Sequence, residues 1–450
     1  MRRSLAELAA WLDARLTGDP TRVVTGVAID SRAVRAGDLF VALQGANTDG
    51  HSFLNEAAAR GGAAALVARK LPNALPQLVV ADPLAALQRL ATRERSQSPY
   101  RLAAVTGSIG KTTTKEFLAA LLATTFAVGA TAGSRNSQAG FPAELCSQPD
   151  GIAWMVAELG MSHAGELDRL GAIAQPDALL YTVVAPVHLE FFTSVDAIAE
   201  AKAELITHLH PDGVLVLNAM DARVAAFAAR FSGRVLRYGT ANASNLSITD
   251  YCSRGLLGAS FTLTGTLGTT PLSWSIAGRH QADNLLAAAT LALALGVPSR
   301  AIAPAAAQLR PAHRRGEIHH LEHGVTVVDD SYNSSPEAAA RLLALLAETP
   351  GRRIAVLGEM LELGTTSPAL HREVGAIAAR SADVVIAVGT EPAAELARGA
   401  VGAVQHVAPD ADAALKLVRE LVRAGDVILV KGSRAIGLDR VVDGLCAGRG

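Results

Sequence analysis

Aromatic residues are scarce in this chain: 10 Phe, 5 Tyr and 3 Trp among 450 residues. Half the residues are nonetheless hydrophobic and alanine is abundant, so several aliphatic cores are within reach. Cysteine is nearly absent. Cys146, Cys252 and Cys446 lie far apart, which excludes a disulfide framework and a cysteine metal site and fits a reducing cytosol. Charge of either sign is not in excess: the net charge is -1, which excludes nucleic acid or an acidic lipid surface as the main partner. Long apolar runs are missing too. The longest, Leu285 to Val297, is too short to span a bilayer and reads as a buried helix. After the initial Met-Arg-Arg, Glu7 and Asp13 interrupt any export-signal core. Instead Ser4 and Glu7 form a capping-box pair, with Leu5, Leu8, Leu12 and Leu16 on one helical face. A soluble, cytoplasmic, monomeric protein without a membrane partner is expected.

What is present is concentrated in residues 102–116, LAAVTGSIGKTTTKE. The apolar run Leu102 to Val105 predicts a strand. Gly107, Ser108, Ile109 and Gly110 make a turn, and Lys111, Thr112 and Thr113 open a helix whose apolar face carries Phe117, Leu118, Leu121 and Leu122. Strand, glycine loop and helix together suit a polyphosphate. Glycines let backbone N–H groups approach the oxygens, the helix N-terminus adds partial positive charge, Lys111 adds a full one, and a Thr hydroxyl reaches Mg²⁺. The loop is short, Gly-x-x-Gly-Lys-Thr, because Val105 stands where the common form has its first glycine. An incidental strand-to-helix turn is the alternative, and placement between an apolar strand and an amphipathic helix argues against it. ATP is the expected ligand.

The pattern predicts an α/β protein of three domains. Residues 1–98 alternate short strands (Val23 to Ile29, Leu39 to Leu43, Ala63 to Val67, Gln77 to Val80) with helices, and Gln97-Ser98-Pro99 reads as a linker. Residues 99–308 carry the phosphate loop and apolar strands at Ile152 to Val156, Leu179 to Val184 and Val214 to Leu217, which implies a mostly parallel P-loop-type sheet. Thr, Ser and Gly alternate over residues 240–276, predicting an appended antiparallel hairpin. Residues 309–450 place strands at Val325 to Val328, Ile354 to Leu357, Val384 to Val388 and Val427 to Val430, a Rossmann-like doubly wound sheet without a GxGxxG loop.

Ligands of open parallel sheets bind at the carboxyl ends of the strands. Glu158, His188 and Glu190 follow such ends in the middle domain, and Lys202 lies fourteen residues beyond His188. Taken singly, these read equally as a capping carboxylate, a backbone-satisfied imidazole and a solvated lysine. Their shared neighbourhood beside a phosphate loop is what gathers them, with Glu158 suited to Mg²⁺ beside Thr112. In the third domain Asp329, Asp330, Ser331, Tyr332 and Asn333 follow one strand, Glu359, Glu362 and His371 another, and Lys431, Ser433 and Arg434 a third. Carboxylates, hydroxyls and cations on one sheet edge suit a zwitterionic amine and the far side of a nucleotide.

At these residues the chain resembles the Mur ligases, essentially end to end. The similarity is carried by AIDSRAVRAGDLFVALQGANTDGHSF (28–53), TGSIGKTTTKE, TAGSRNSQAGFP (131–142), AELGMSHAGEL (157–167), HLEFFTSVDAIAEAKAEL (188–205), GRHQADNLLAA (278–288), RRGEIHHLEHGVTVVDDSYNSSPEA, VLGEMLELG and KGSR. Departures from the usual family pattern fall at Ser134, Ser137, Gln281, Ser334, Ser335 and Asp439.

The resemblance implies ATP-driven joining of D-alanyl-D-alanine to UDP-N-acetylmuramoyl-tripeptide through an acyl phosphate. The alternatives are the sister ligase adding the third amino acid and a non-catalytic nucleotide-binding relative. It also implies roles for particular residues. Gly107 to Thr113 hold the ATP phosphates, with Lys111 catalytic. His280 and Asn284 lie near the adenine, and Arg315, Asp330 and Tyr332 approach from the third domain. Thr112 and Glu158 bind one Mg²⁺; His188 and Lys202 bind a second, Lys202 carrying a CO₂-derived carbamate. Ser31, Arg32, Asn136, His163 and Asn333 contact the other substrates, the first two at the UDP end.

Overall fold

The computed structural model describes residues 1–45, 48–72, 74–240 and 244–447. Positions 46–47 of the 28–53 segment and 241–243 of the Thr/Ser/Gly-rich stretch lie outside the described residues. The architecture is α/β, with three main sheets of five, nine and six strands and a two-stranded ribbon near the N-terminus.

The first helix, Leu5–Leu12, starts where the capping box predicts. The Ser4 hydroxyl accepts from the Glu7 amide at 3.3 Å and the Glu7 carboxylate accepts from the Ser4 amide at 2.8 Å. Leu5, Leu8 and Leu12 are buried. The expected strand Val23 to Ile29 is broken in two. Val23–Val24 pairs antiparallel with Arg3–Ser4, and Gly26–Ala28 joins the five-stranded sheet beside Asp38–Val41. The break falls at Thr25, whose amide bonds Gly37 O.

In the nine-stranded sheet, Arg101–Thr106 lies between Ala178–Tyr181 and Trp154–Glu158, all parallel. Alternation along this strand divides two cores. Ala103 and Val105 pack with Phe117, Leu118, Leu285 and Leu286. Leu102 and Ala104 face the other way, into a core shared with Leu5, Leu8, Leu12, Leu87 and Leu90 from the N-terminal region. The segment read as a linker thus separates nothing hydrophobically. The helix Pro83–Gln97 runs into its first residue, and Arg95 donates across the junction to Ala174 O and Gln175 O at 2.8 and 3.1 Å. The predicted hairpin is a three-stranded meander, Leu246–Ser253, Ala259–Gly265 and Gly268–Trp274. Most of the apolar run Leu285 to Val297 lies in the helix Arg279–Ala294, buried on most faces, and its last three residues follow the helix end. Among the described residues no helix is long and apolar enough to cross a membrane.

The six-stranded sheet is parallel apart from the edge strand Glu317–His320, antiparallel to Thr326–Asp330. Helices cover both faces, forming one core around Leu343, Leu357 and Leu429 and another around Val356, Ile386 and Val430. The carboxyl ends of this sheet and of the nine-stranded sheet face one cleft.

Candidate active site

A cavity of about 1370 Å³ lies where the three sheets meet, and all three regions line it. From the nine-stranded sheet come Ser108 to Thr113, Asn136, Glu158, His188, His280 and Asn284; from the six-stranded sheet come Arg315, Asp330, Tyr332, Asn333 and Lys431. Leu43, Gln44, Gly45, Thr48, Ala81 and Asp82 line the N-terminal side.

The phosphate loop is braced from beneath by the segment after Tyr181. The Ser108 amide donates to Val183 O at 2.6 Å, and Thr182 Oγ1 donates to Ile109 O at 2.7 Å. Gly107 has φ +145°, and a Cβ there would sit 1.9 Å from Thr182 Oγ1. Gly107→Ala is therefore expected to cost about 1–3 kcal/mol through backbone strain and to loosen ATP binding; thermal unfolding and nucleotide titration check both, and an unchanged melting point would count against the strain. Gly110, at φ +84°, lies against Asn284, where a methyl group would come within 2.4 Å of Asn284 Oδ1.

Lys111 Nζ donates to Gly107 O and Ser108 O at 2.9 and 3.0 Å, so the ammonium rests in the loop's mouth. Burial lowers its pKa, the Glu158 carboxylate raises it in part and Arg315 opposes that. Thr112 Oγ1 donates to Glu158 Oε2 at 2.7 Å, and Asn136 Nδ2 donates to Glu158 Oε1 at 2.5 Å. A buried carboxylate, 1% exposed, is thereby fixed beside a hydroxyl at a helix N-terminus. These hard oxygen donors fit Mg²⁺. His188 also lines the cavity, and its Nδ1 pairs with Glu362. Lys202, 1% exposed on the helix Val195–Ala203, lies behind the lining. Burial, and then the Lys111 charge, push its amine well below the ordinary lysine range. A neutral amine is the form that adds CO₂, so the residue suits N-carboxylation.

The six-stranded sheet closes over this floor. Tyr332 hydrogen-bonds Ser134 across the cleft, and Arg315 and Arg434 lie 4.2 and 5.0 Å from its ring. Asp330 is ion-paired with Lys431, which also donates to Asn333 O at 2.9 Å. His280 is partly exposed in the cleft, yet burial pushes its imidazole down to about 4.

Three stretches of the chain match known protein families. Residues 23–123, 105–292 and 314–434 match the descriptions "Mur ligase family, catalytic domain", "Mur ligase middle domain" and "Mur ligase, glutamate ligase domain". The UDP-N-acetylmuramoyl-tripeptide--D-alanyl-D-alanine ligase of Escherichia coli K12 is 34% identical, covering 98% of each chain. The chain belongs to the Mur ligase family. The Bacillus subtilis 168 ligase of the same name is also 34% identical, over 94% of this chain and 93% of its own. Among solved Mur ligases, MurF from Acinetobacter baumannii superposes with a TM-score of 0.88 at 28% identity, covering 99% of both chains. MurF from Thermotoga maritima in complex with ADP gives 0.81 at 30% identity, over 94% and 97%.

Some expected Mur ligase contacts are not brought to the cavity. Ser31 is buried and donates to Glu56 at 2.7 Å, and the Arg32 guanidinium folds onto Asp30 at 2.8 Å; neither lines the cavity. The N-terminal wall is instead built from the Leu43–Gly45 and Ala81–Asp82 turns. His163 is exposed, its ring tilted 43° against that of Phe191 with centroids 4.4 Å apart, and is also outside the lining. Lys115 is a buried support for the site that the motifs do not single out. It is fully buried and donates to the carbonyls of Thr131 and Gly133, anchoring the loop that presents Ser134 and Asn136. Its spacing of four from Lys111, on the inward side of one helix, is the signal that the sequence offers.

Proposed function

We propose that this Mur ligase joins D-alanyl-D-alanine to UDP-N-acetylmuramoyl-tripeptide at the expense of ATP, in peptidoglycan precursor synthesis. The observation that carries this reading is the pairing of a phosphate loop with the clamped Glu158 carboxylate inside a cavity lined by all three regions. Full-length similarity to ligases named for that reaction supports it. In this reading residues 1–98 take the UDP end, 99–308 take ATP and 309–450 take the dipeptide.

The acceptor's terminal carboxylate attacks the γ-phosphorus in line, ADP leaves, and an acyl phosphate forms. The dipeptide amine then attacks the acyl carbon, loses a proton and expels phosphate. Lys111 and the loop amides stabilise charge as it builds on the transferred group. Thr112 and Asn136 hold Glu158 in one rotamer. Thr112 and Glu158, and His188 with N-carboxylated Lys202, would hold two Mg²⁺ ions, which when bound neutralise phosphate charge. Tyr332, Arg315 and the Asp330–Lys431 pair cover the cleft and keep water from the acyl phosphate. His280 and Asn284 flank the base side of the loop, and Asn333 faces the incoming amine.

Phosphate release is the deciding assay, run with UDP-muramyl tripeptides carrying either diaminopimelate or lysine. It is expected only when ATP, tripeptide and D-alanyl-D-alanine are all present. Release driven by a free single amino acid on the UDP-dipeptide would reassign the chain to the third-residue ligase. No ADP with any combination would make it a binding protein.

A further inference from the structure

The segment 359–364 follows the strand Arg353–Gly358 and is held at nearly every residue. The Glu359 carboxylate accepts from Thr390 Oγ1 at 2.8 Å. The Met360 amide donates to His371 Nε2 at 3.0 Å, and His371, with no exposed surface, has Nδ1 2.7 Å from Ser367 O. The Leu361 amide donates to Ser433 Oγ at 3.0 Å. So Glu359 and His371, gathered on one sheet edge by the sequence, support a loop and stay out of the cavity wall, while Ser433 holds the loop and also lines the cavity.

What the loop presents is Glu362. Its carbonyl accepts from the Glu190 amide at 3.2 Å, and its carboxylate pairs with His188 Nδ1. Gly364 comes so close to the other region that a Cβ would lie 3.3 Å from Leu189 O. Both partners sit in the left-handed region, His188 at φ +58° and Glu362 at φ +62°. Two non-glycine residues in that conformation, facing one another across a cleft, are unfavourable unless the contact holds them.

We infer that Glu362 is a positioning residue: it fixes the His188 ring and its tautomer, so that the histidine is set to ligate only when the six-stranded domain has closed on the nine-stranded one. This rests on the assignment of His188 as a Mg²⁺ ligand above. With the proton on Nδ1 held by a carboxylate, Nε2 keeps its lone pair. Metal-binding histidines commonly use such an outer carboxylate. Here that carboxylate belongs to the other domain, which makes a competent ion site conditional on closure.

The test is a Mn²⁺ titration by electron paramagnetic resonance in the presence of a non-hydrolysable ATP analogue and UDP-muramyl tripeptide. Wild-type protein is expected to bind two ions. Glu362→Ala is expected to weaken one of them about 10- to 100-fold, with the other ion held as in the wild type and the protein still folded. Nitrogen NMR of His188 is expected to show one tautomer in the wild type and a mixture in the variant. Glu362→Gln, of equal size and keeping an acceptor oxygen, is expected to lose less affinity and carries the test should alanine unfold the loop. Variants matching wild type within twofold in both ions, with one tautomer, would overturn this inference alone. A wild-type complex holding fewer than two Mn²⁺ ions would overturn it together with the metal assignment.

Discussion

Lys111→Ala leaves a folded protein whose turnover falls at least about a hundredfold, the scale for removing one aimed electrostatic donor. The reason lies in where the ammonium rests. It bonds Gly107 O and Ser108 O, two carbonyls at the cavity mouth, and water can take its place there without opening a core. The core face of the same helix is carried by Phe117, Leu118, Leu121 and Leu122, which the change does not touch. Stability is therefore nearly preserved while the transferred phosphoryl group loses its fixed cation. Arginine is not expected to restore activity, because a planar fork does not fit the two-carbonyl seat of an ammonium. Steady-state phosphate release and thermal unfolding, measured on one preparation, decide the matter. Turnover within a few fold of wild type would remove Lys111 from the chemistry.

Lys202→Ala is the second large effect. Loss of about tenfold to a hundredfold is expected, the range for a group that holds or orients a metal. Formate or acetate should then restore part of the activity, since the deleted side chain leaves room for a small carboxylate. The physical ground is the amine's state. Burial and the neighbouring Lys111 keep Lys202 neutral at a pH where a surface lysine is charged. Only the neutral amine adds CO₂, losing a proton to give a carbamate with two oxygens and one negative charge. Because burial lowers the pKa, the reactive form persists to lower pH than it does for an ordinary lysine. A ¹³C resonance from ¹³CO₂-treated wild type, absent in the variant, would identify the adduct. Absence of that signal together with absence of rescue would return Lys202 to a purely structural role.

Local rules account for a large part of the fold. The Ser4–Glu7 cap, the strand Arg101–Thr106 and the phosphate loop are short-range features, governed by neighbours in sequence, and each appears where its residues predict it. Four parallel strands of the six-stranded sheet are readable for the same reason, each an apolar run in the sheet interior, whereas the largely exposed edge strand Val404–Ala408 gives no such signal. Where expectation and structure part, the causes are physical too. The run from Val23 to Ile29 looks like one strand, but its two halves pair with different partners. The meander reads as a hairpin because period-two alternation does not count strands. Ser31 and Arg32 are expected at the UDP end, yet each has a local carboxylate, Glu56 or Asp30, that satisfies it away from the cavity.

By itself, the sequence determined a loop and helix start suited to a polyphosphate between Gly107 and Thr113, since the glycines, the lysine and the first helical residues are consecutive and need no distant partner. It also determined the α/β class, through apolar runs alternating with helical periodicity. Only the tertiary structure decided what each of the carboxylates touches. Glu158 is clamped by Thr112 and Asn136, Asp330 by Lys431, and Glu362 meets His188, contacts made across 22 to 174 residues of chain. Side-chain hydrogen bonds of that kind depend on how domains pack, and no spacing along a chain encodes the approach of two sheet edges.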